Sequence, residues 1–229
     1  MAARFTEGRK GRRMQFADRR DAGAKLAAKL AAYRGKQPVI LAIPRGGVII
    51  GAVLAAELGG SLDVVFSRKI GLPANPEFAV GAVSEDGALL YEELPAQYGV
   101  DEAYLRTEVE RQKAAMHRRR ELYAGGREPL PVHGQTVIIT DDGIATGYTT
   151  EAAIIAVRRR EPARLVLAVP VAPPDIFERL TPLVDEAVCL LAPTSFYAVG
   201  MFYRDFTQVE DAEVIELLGK AAAHRPGGV

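Results

Sequence analysis

Short, unbroken apolar runs separated by helix-like stretches constrain this chain more than any other feature. PVILAI (38–43), DVVFSRK (63–69), TVIIT (136–140), ARLVLAVPVA (163–172) and EAVCLLA (186–192) lack the polar alternation of a half-solvated strand. Runs this short and this apolar suit strands buried on both faces. Between them, VIIGAVLAAELGG (48–60), GYTTEAAIIAVRRR (147–160) and PDIFERL (174–180) read as helices. Strands alternating with helices predict an α/β fold, a parallel twisted sheet flanked by helices. The 229 residues suffice for one such domain with a small addition.

The flanking segments are less regular. In DRRDAGAKLAAKLAAYRG (18–35), Asp18 is a helix N-cap with Asp21 three residues on. Ala22, Leu26 and Leu30 form one face, and Gly35 is the stop. Residues 71–100 are irregular, with FAVGAV and ALLYEE forming a hairpin that turns at Glu85–Gly87. A helix follows from about Asp101 to Tyr123. Its thin stripe of Leu105, Val109, Met116 and Tyr123 suits a surface helix or a contact in a homodimer. The HRRR cluster at 117–120 reads as a solvated face, with a phosphate grip as the alternative. DAEVIELLGKAAA (211–223) predicts a last helix.

Composition excludes several classes of function. Basic and acidic residues cancel at 29 each, so no net field favours nucleic acid or an anionic membrane. The single cysteine, Cys189, lies in AVCLLA and reads as core, and three scattered histidines argue against a metal cluster. The N-terminal MAARFTEGRKGRRMQ is basic but lacks the apolar stretch of a secretory signal. No apolar run is long enough to span a bilayer. A cytoplasmic location without membrane or nucleic-acid partners is the expectation.

The chemistry concentrates in TVIITDDGIATGYTT (136–150). The strand delivers Asp141 and Asp142 to its carboxyl end, where ligands of such sheets bind. Gly143, Ile144, Ala145, Thr146, Gly147, Tyr148 and Thr149 then lead into a helix start, a ready phosphate site. A phosphate repels carboxylates, so the acids address something else: a diol or a magnesium ion. A sugar phosphate with free hydroxyls satisfies both halves. The chain has neither G-x-x-x-x-G-K-[ST] nor G-x-G-x-x-G, which removes the nucleoside triphosphatase loop and the dinucleotide fingerprint.

VIITDDGIATGYT resembles the phosphoribosyl pyrophosphate (PRPP) motif of type I phosphoribosyltransferases. The order RGG, RKIGLPANPEFAVGAV, TDDGIATGYT is most similar to a bacterial group of such proteins whose acceptor is undefined. The resemblance implies that Asp141 and Asp142 hold the ribose hydroxyls and that residues 143–149 bind the 5-phosphate. It assigns the pyrophosphate to Arg45, Gly46 and Gly47 of PRGGV, a loop that in the family often contains a non-proline cis peptide, and to Arg68 and Lys69 at the end of the second strand. Asp141, Asp142, Arg45 and Lys69 are the implied catalytic set, with Glu77 a further candidate in the mobile loop that begins at GLPANPEF.

The implied reaction displaces pyrophosphate from PRPP by a nitrogen acceptor, with Mg²⁺ held through substrate and water rather than by a protein cage. The implied organisation is an N-terminal arm and helix (1–35), a core (36–192) with the helical insertion at about 101–123, and a C-terminal hood segment and tail (193–229). Phe196, Tyr197, Phe202 and Tyr203 of the hood are candidates to stack on the acceptor. VAPPD lacks the lysine that 6-oxopurine enzymes place after the corresponding strand. The alternative to an enzyme is a non-catalytic PRPP sensor.

Overall fold

The computed structural model describes residues 4–5, 15–73, 75, 79–84, 87–90 and 98–223. A parallel sheet forms its centre. The strands are β1 (Arg4–Phe5), β2 (Val39–Ala42), β3 (Ser61–Val64), β7 (Thr136–Thr140), β8 (Arg164–Val171) and β9 (Glu186–Leu191), in the spatial order β1-β9-β8-β7-β2-β3. Every neighbouring pair is parallel. The α/β expectation holds.

The sheet is buried on both faces because its side chains alternate between two apolar cores. Ile40, Ala42, Ile138, Val166 and Ala168 face one core, with α1 (Arg19–Lys29), α2 (Gly46–Leu58) and α6 (Asp211–Ala223). Val39, Leu41, Val137, Ile139, Leu165 and Leu167 face the other, with α4 (Tyr148–Arg158) and α5 (Pro174–Leu180). A period of two with apolar residues on both sides produces the unbroken runs seen in the sequence. Cys189 is buried in the second core, where burial pushes its thiol up to about 12.

The capping expectation for α1 also holds. The Asp18 carboxylate accepts from the Asp21 N–H at 2.8 Å, and Asp21 accepts from the Ala17 N–H at 2.9 Å. Ala22, Leu26 and Leu30 are buried. The helix ends earlier than Gly35, passing into a 3₁₀ turn at Ala31–Tyr33.

One expectation needs correction. DVVFSRK is not one strand ending in Arg68 and Lys69. The chain leaves the parallel sheet after Val64 and starts a separate antiparallel sheet of β4 (Ser67–Gly71), β5 (Ala79–Ser84) and β6 (Gly87–Leu90). The physical cause is that β3 is an edge strand, and Phe66 turns away to stack on Tyr123, with ring centroids 5.9 Å apart. Arg68 and Lys69 therefore lie within β4. The β5–β6 pairing is the expected hairpin, though residues 85 and 86 of its turn lie outside the described residues.

The inserted helix, α3 (Glu102–Ala124), lies on the surface as expected, most of its residues exposed or half-buried. Its stripe is covered within this chain: Leu105, Met116 and Tyr123 are buried in the first core, and Val109 packs against it. The anchor is Asp63 on β3, which accepts from the Val64 N–H (2.8 Å) and the Leu130 N–H (2.9 Å) and faces Arg120 at 3.5 Å. Arg120 also donates to the Val64 carbonyl at 2.7 Å.

Asp63→Ala should leave the Leu130 N–H without its acceptor and remove the carboxylate that faces Arg120, a loss of about 2–4 kcal/mol in urea denaturation. A change below about 0.5 kcal/mol, the scale of an ordinary surface substitution, would show that Asp63 does not anchor the insertion.

Candidate active site

The pairing of β2 with β7 builds the site. Ala42 lies opposite Thr140, and the Ile43 N–H donates to the Thr140 carbonyl at 2.9 Å, so both strands end at one level. From there the chain diverges. The β2 connection runs through α2 in the first core to β3, and the β7 connection runs through α4 in the second core to β8. Neighbouring strands whose connections leave in opposite directions open a crevice at their carboxyl ends. PRGG and DDGIATGYT form its two lips.

The lips fit each other through missing side chains. A Cβ on Gly46 would collide with the Asp142 carboxylate, and one on Gly47 would come within 2.9 Å of the Asp141 Cα. Gly143 is equally confined, since a Cβ there would strike Val199 and Val171. The Pro44–Arg45 peptide is cis. Arg45 caps the start of α2 and lies 3.8 Å from Asp211 at the start of α6. Asp211 also accepts the Tyr123 hydroxyl, at 2.5 Å.

The loop after the acids approaches an anion cradle in a specific way. Ile144 is buried and its N–H donates to the Val171 carbonyl at 2.9 Å, which anchors the loop to β8. Gly147, at φ +80°, starts α4 with no side chain capping the helix amides. Uncapped amides at a helix start attract anions. Arg179 braces this turn from α5, donating to the Thr146 carbonyl at 2.8 Å, pairing with Glu151 and lying 5.2 Å from the centroid of the Tyr148 ring. Ala145 and Thr146 are exposed at the loop tip, and Thr149 accepts the Ser67 hydroxyl through its carbonyl at 2.8 Å.

The acids sit in a charged setting that the linear sequence does not display. Arg19 of α1 donates to the Asp142 carboxylate at 2.7 Å. The Asp142 N–H donates to the Asp141 carboxylate at 2.8 Å. Burial and the Asp142 charge raise the Asp141 carboxyl well above the usual carboxylate range. Burial also raises Asp142, and Arg19 opposes that rise. Burial, reinforced by the Asp142 charge, raises the Tyr203 hydroxyl, which donates to the Asp142 carbonyl.

The two chain ends roof the crevice. Phe16 bridges Tyr203 in parallel, and the Arg204 N–H donates to the Phe16 carbonyl at 2.8 Å. Of the four aromatics singled out in the sequence, Phe196 and Phe202 stack at 5.4 Å and Tyr197 is exposed. Tyr203 is buried between Phe16 and Phe206, its ring centroid 5.2 and 5.0 Å from theirs.

Arg68 feels both burial and the Arg119 cation, which lower its pKa. The HRRR cluster thus divides: His117 and Arg118 are exposed, Arg119 faces the Arg68 and Tyr123 side, and Arg120 is committed to Asp63. The side chain of Lys69, and Glu77 altogether, lie outside the described residues. Sequence reasoning missed Arg19, Arg179 and Val199. No linear signal joins residues 19 and 142, although the N-cap at Asp18 placed Arg19 in the first turn of a helix.

This arrangement defines a parallel α/β protein with paired acids and an uncapped helix start at its switch point. The chain belongs to the phosphoribosyl transferase domain family, whose model matches residues 15–180. Two proteins of Mycobacterium tuberculosis, from strains CDC 1551 and H37Rv and provisionally named phosphoribosyl transferases, are each 42% identical over 207 residues. That alignment covers 90% of this chain and 47% of theirs, so the chain spans about half the length of the curated relatives it matches. The crystal structure of TT1426 from Thermus thermophilus is 44% identical and superposes with a TM-score of 0.82, over 90% of this chain and 99% of that one.

The raised acids have a consequence for stability. A carboxyl whose folded pKa lies above its unfolded value opposes folding at pH 7, and this penalty disappears below the unfolded value of about 3.9. Asp141→Asn keeps an acceptor for the Asp142 N–H and should raise Tm by about 2–5 °C at pH 7. The gain should vanish by about pH 3.5 in thermal melts. A lower Tm at pH 7 would contradict the burial argument.

Proposed function

We propose that this chain transfers the 5-phosphoribosyl group from PRPP to a nitrogenous base or amine and releases pyrophosphate. The observation that supports this reading best is the contact of the two lips, Asp141 and Asp142 set against Gly47 and Gly46. A diol site and a second anion-binding helix start within one crevice match a ribose that carries phosphate at one end and pyrophosphate at the other. Asp141 and Asp142 take the ribose hydroxyls, the amides of residues 145–149 take the 5-phosphate, and Arg45, Gly46, Gly47, Arg68 and Lys69 serve the pyrophosphate.

In the transfer, the acceptor nitrogen forms a bond to C1 of the ribose as the C1–oxygen bond to pyrophosphate breaks. The electron pair leaves with pyrophosphate, and the acceptor nitrogen gives up its proton. Positive charge develops on the sugar and negative charge on the leaving group, so fixed cations and amides at the pyrophosphate end lower the barrier. Asp142 is engaged by Arg19, so Asp141 is the acid that would help hold a substrate-borne Mg²⁺. When bound, the ion would neutralise charge on the leaving pyrophosphate.

Phe196, Tyr197 and Phe202 form the aromatic side of the acceptor site, while Tyr203 holds the hood to Asp142. No helix among the described residues is long and apolar enough to cross a membrane.

Calorimetry should show Mg²⁺-dependent PRPP binding, weakened at least tenfold in Asp141→Asn with Asp142→Asn while the circular dichroism spectrum is retained. A panel of bases and amines should include one that stimulates pyrophosphate release. Saturable binding without release across the panel would favour a PRPP sensor, and absence of binding to the wild type would exclude both readings.

A further inference from the structure

We infer that Arg19 is a positioning residue for the ribose site, holding one oxygen of Asp142 so that the other addresses the sugar; this rests on the phosphoribosyl reading above. The Arg19 side chain is 9% exposed and fixed on three sides. Its Nε donates to Asp142 Oδ2 at 2.7 Å, one terminal nitrogen donates to the Thr207 carbonyl at 2.8 Å, and its plane lies 3.8 Å from the centre of the Phe206 ring. Asp142 is equally enclosed: the backbone at Gly46 blocks one side, and the Tyr203 hydroxyl holds its carbonyl.

Stability alone is a poor reason for this arrangement. Taking a guanidinium and a carboxylate out of water costs about as much as their attraction returns, and apolar replacements of buried pairs are often neutral or better. What the pair supplies is direction. A free Asp142 carboxylate could exchange its two oxygens by rotation, whereas a guanidinium held by Thr207 and Phe206 keeps Oδ2 on the Arg19 Nε–H and leaves Oδ1 for the sugar. Arg19 also favours the ionised form, which a carboxylate needs in order to accept from two sugar hydroxyls. The titratable and charged groups facing Asp142 are Arg19 from α1, Asp141 beside it and Tyr203 from the hood, and Arg19 supplies the positive charge among them.

The same contacts join the roof to the floor. Phe206 and Thr207 belong to the hood and Arg19 to α1, so the guanidinium links the segment that covers the acceptor to the acid that holds the ribose. A shift of the hood therefore changes the aim of Asp142.

The test uses the full chain as wild type, Arg19→Gln, Arg19→Lys, Asp142→Asn and Arg19→Gln with Asp142→Asn. Carboxyl carbon NMR of the free protein gives the titration midpoints of the acid pair, and calorimetry gives PRPP affinity in Mg²⁺ from pH 5.5 to 9. Arg19→Gln should move the midpoint to higher pH and weaken PRPP binding at pH 7 by about tenfold, or about 1.4 kcal/mol. That loss should shrink towards pH 9, where the acids ionise without help. Arg19→Lys should recover most of the midpoint but less of the affinity, because an ammonium lacks the planar group that ties the cation to both Thr207 and Asp142. In the Asp142→Asn background, removing Arg19 should change affinity less than twofold.

An unmoved midpoint in a folded Arg19→Gln overturns the inference. If Arg19→Gln does not fold, Arg19→Lys keeps the charge and loses the guanidinium geometry; wild-type PRPP affinity there overturns it equally. Failure of the wild type to bind PRPP overturns the phosphoribosyl reading instead, and the midpoint still decides whether Arg19 governs the acid pair.

Discussion

The pairing of β2 with β7 is the contact on which the rest depends. Four residue pairs in register, from Val39↔Val137 to Ala42↔Thr140, bring together segments almost a hundred positions apart. Their crossovers leave towards opposite edges of the sheet and pack into opposite cores, so PRGG and DDGIATGYT meet above the two strand ends. Two helix starts then lie at one crevice, neither capped by a side chain. Slipping the register by one residue would turn Ile138 and Ile139 to the wrong cores. The burial of both faces therefore fixes the level at which Asp141 and Arg45 emerge.

That crevice places buried charge where folding would not choose it. Asp141 and Asp142 oppose each other and are both desolvated, and the chain answers from a distant element, with Arg19 against Asp142 and the Tyr203 hydroxyl on its carbonyl. The glycines of PRGG serve the same end by letting the acids approach the start of α2. Arg179 provides a parallel arrangement at the other lip, where it holds the turn before α4 by the Thr146 carbonyl. The local folding penalty at the acids is of a kind expected where groups are arranged for a ligand rather than for stability.

Local signals were legible wherever periodicity or chemistry acts within a few residues. Asp18 and Asp21 cap α1 as their spacing requires, and the last helix occupies Asp211–Ala223. The PRPP-like motif stands out because acids, glycines and hydroxyls rarely follow a buried strand together. Reading failed where a partner lies far along the chain. DVVFSRK looks continuous, yet the stacking of Phe66 on Tyr123 splits it and moves Arg68 into a second sheet. The stripe of α3 reads correctly as that of a surface helix, but the core it packs on is assembled from other segments and has no local signal.

By itself the sequence determined the class of fold, the strand-end acids and the glycine- and threonine-rich loop that follows them. Each of these follows from alternation, capping or backbone freedom, forces that act over a few bonds. Only the tertiary structure decided which loop faces which, that Arg19 meets Asp142 across 123 positions, and that Tyr203 is buried between Phe16 and Phe206. Those outcomes depend on the order of strands in the sheet and on which helix covers which core. No local pattern encodes them, because close packing is satisfied by the whole chain at once.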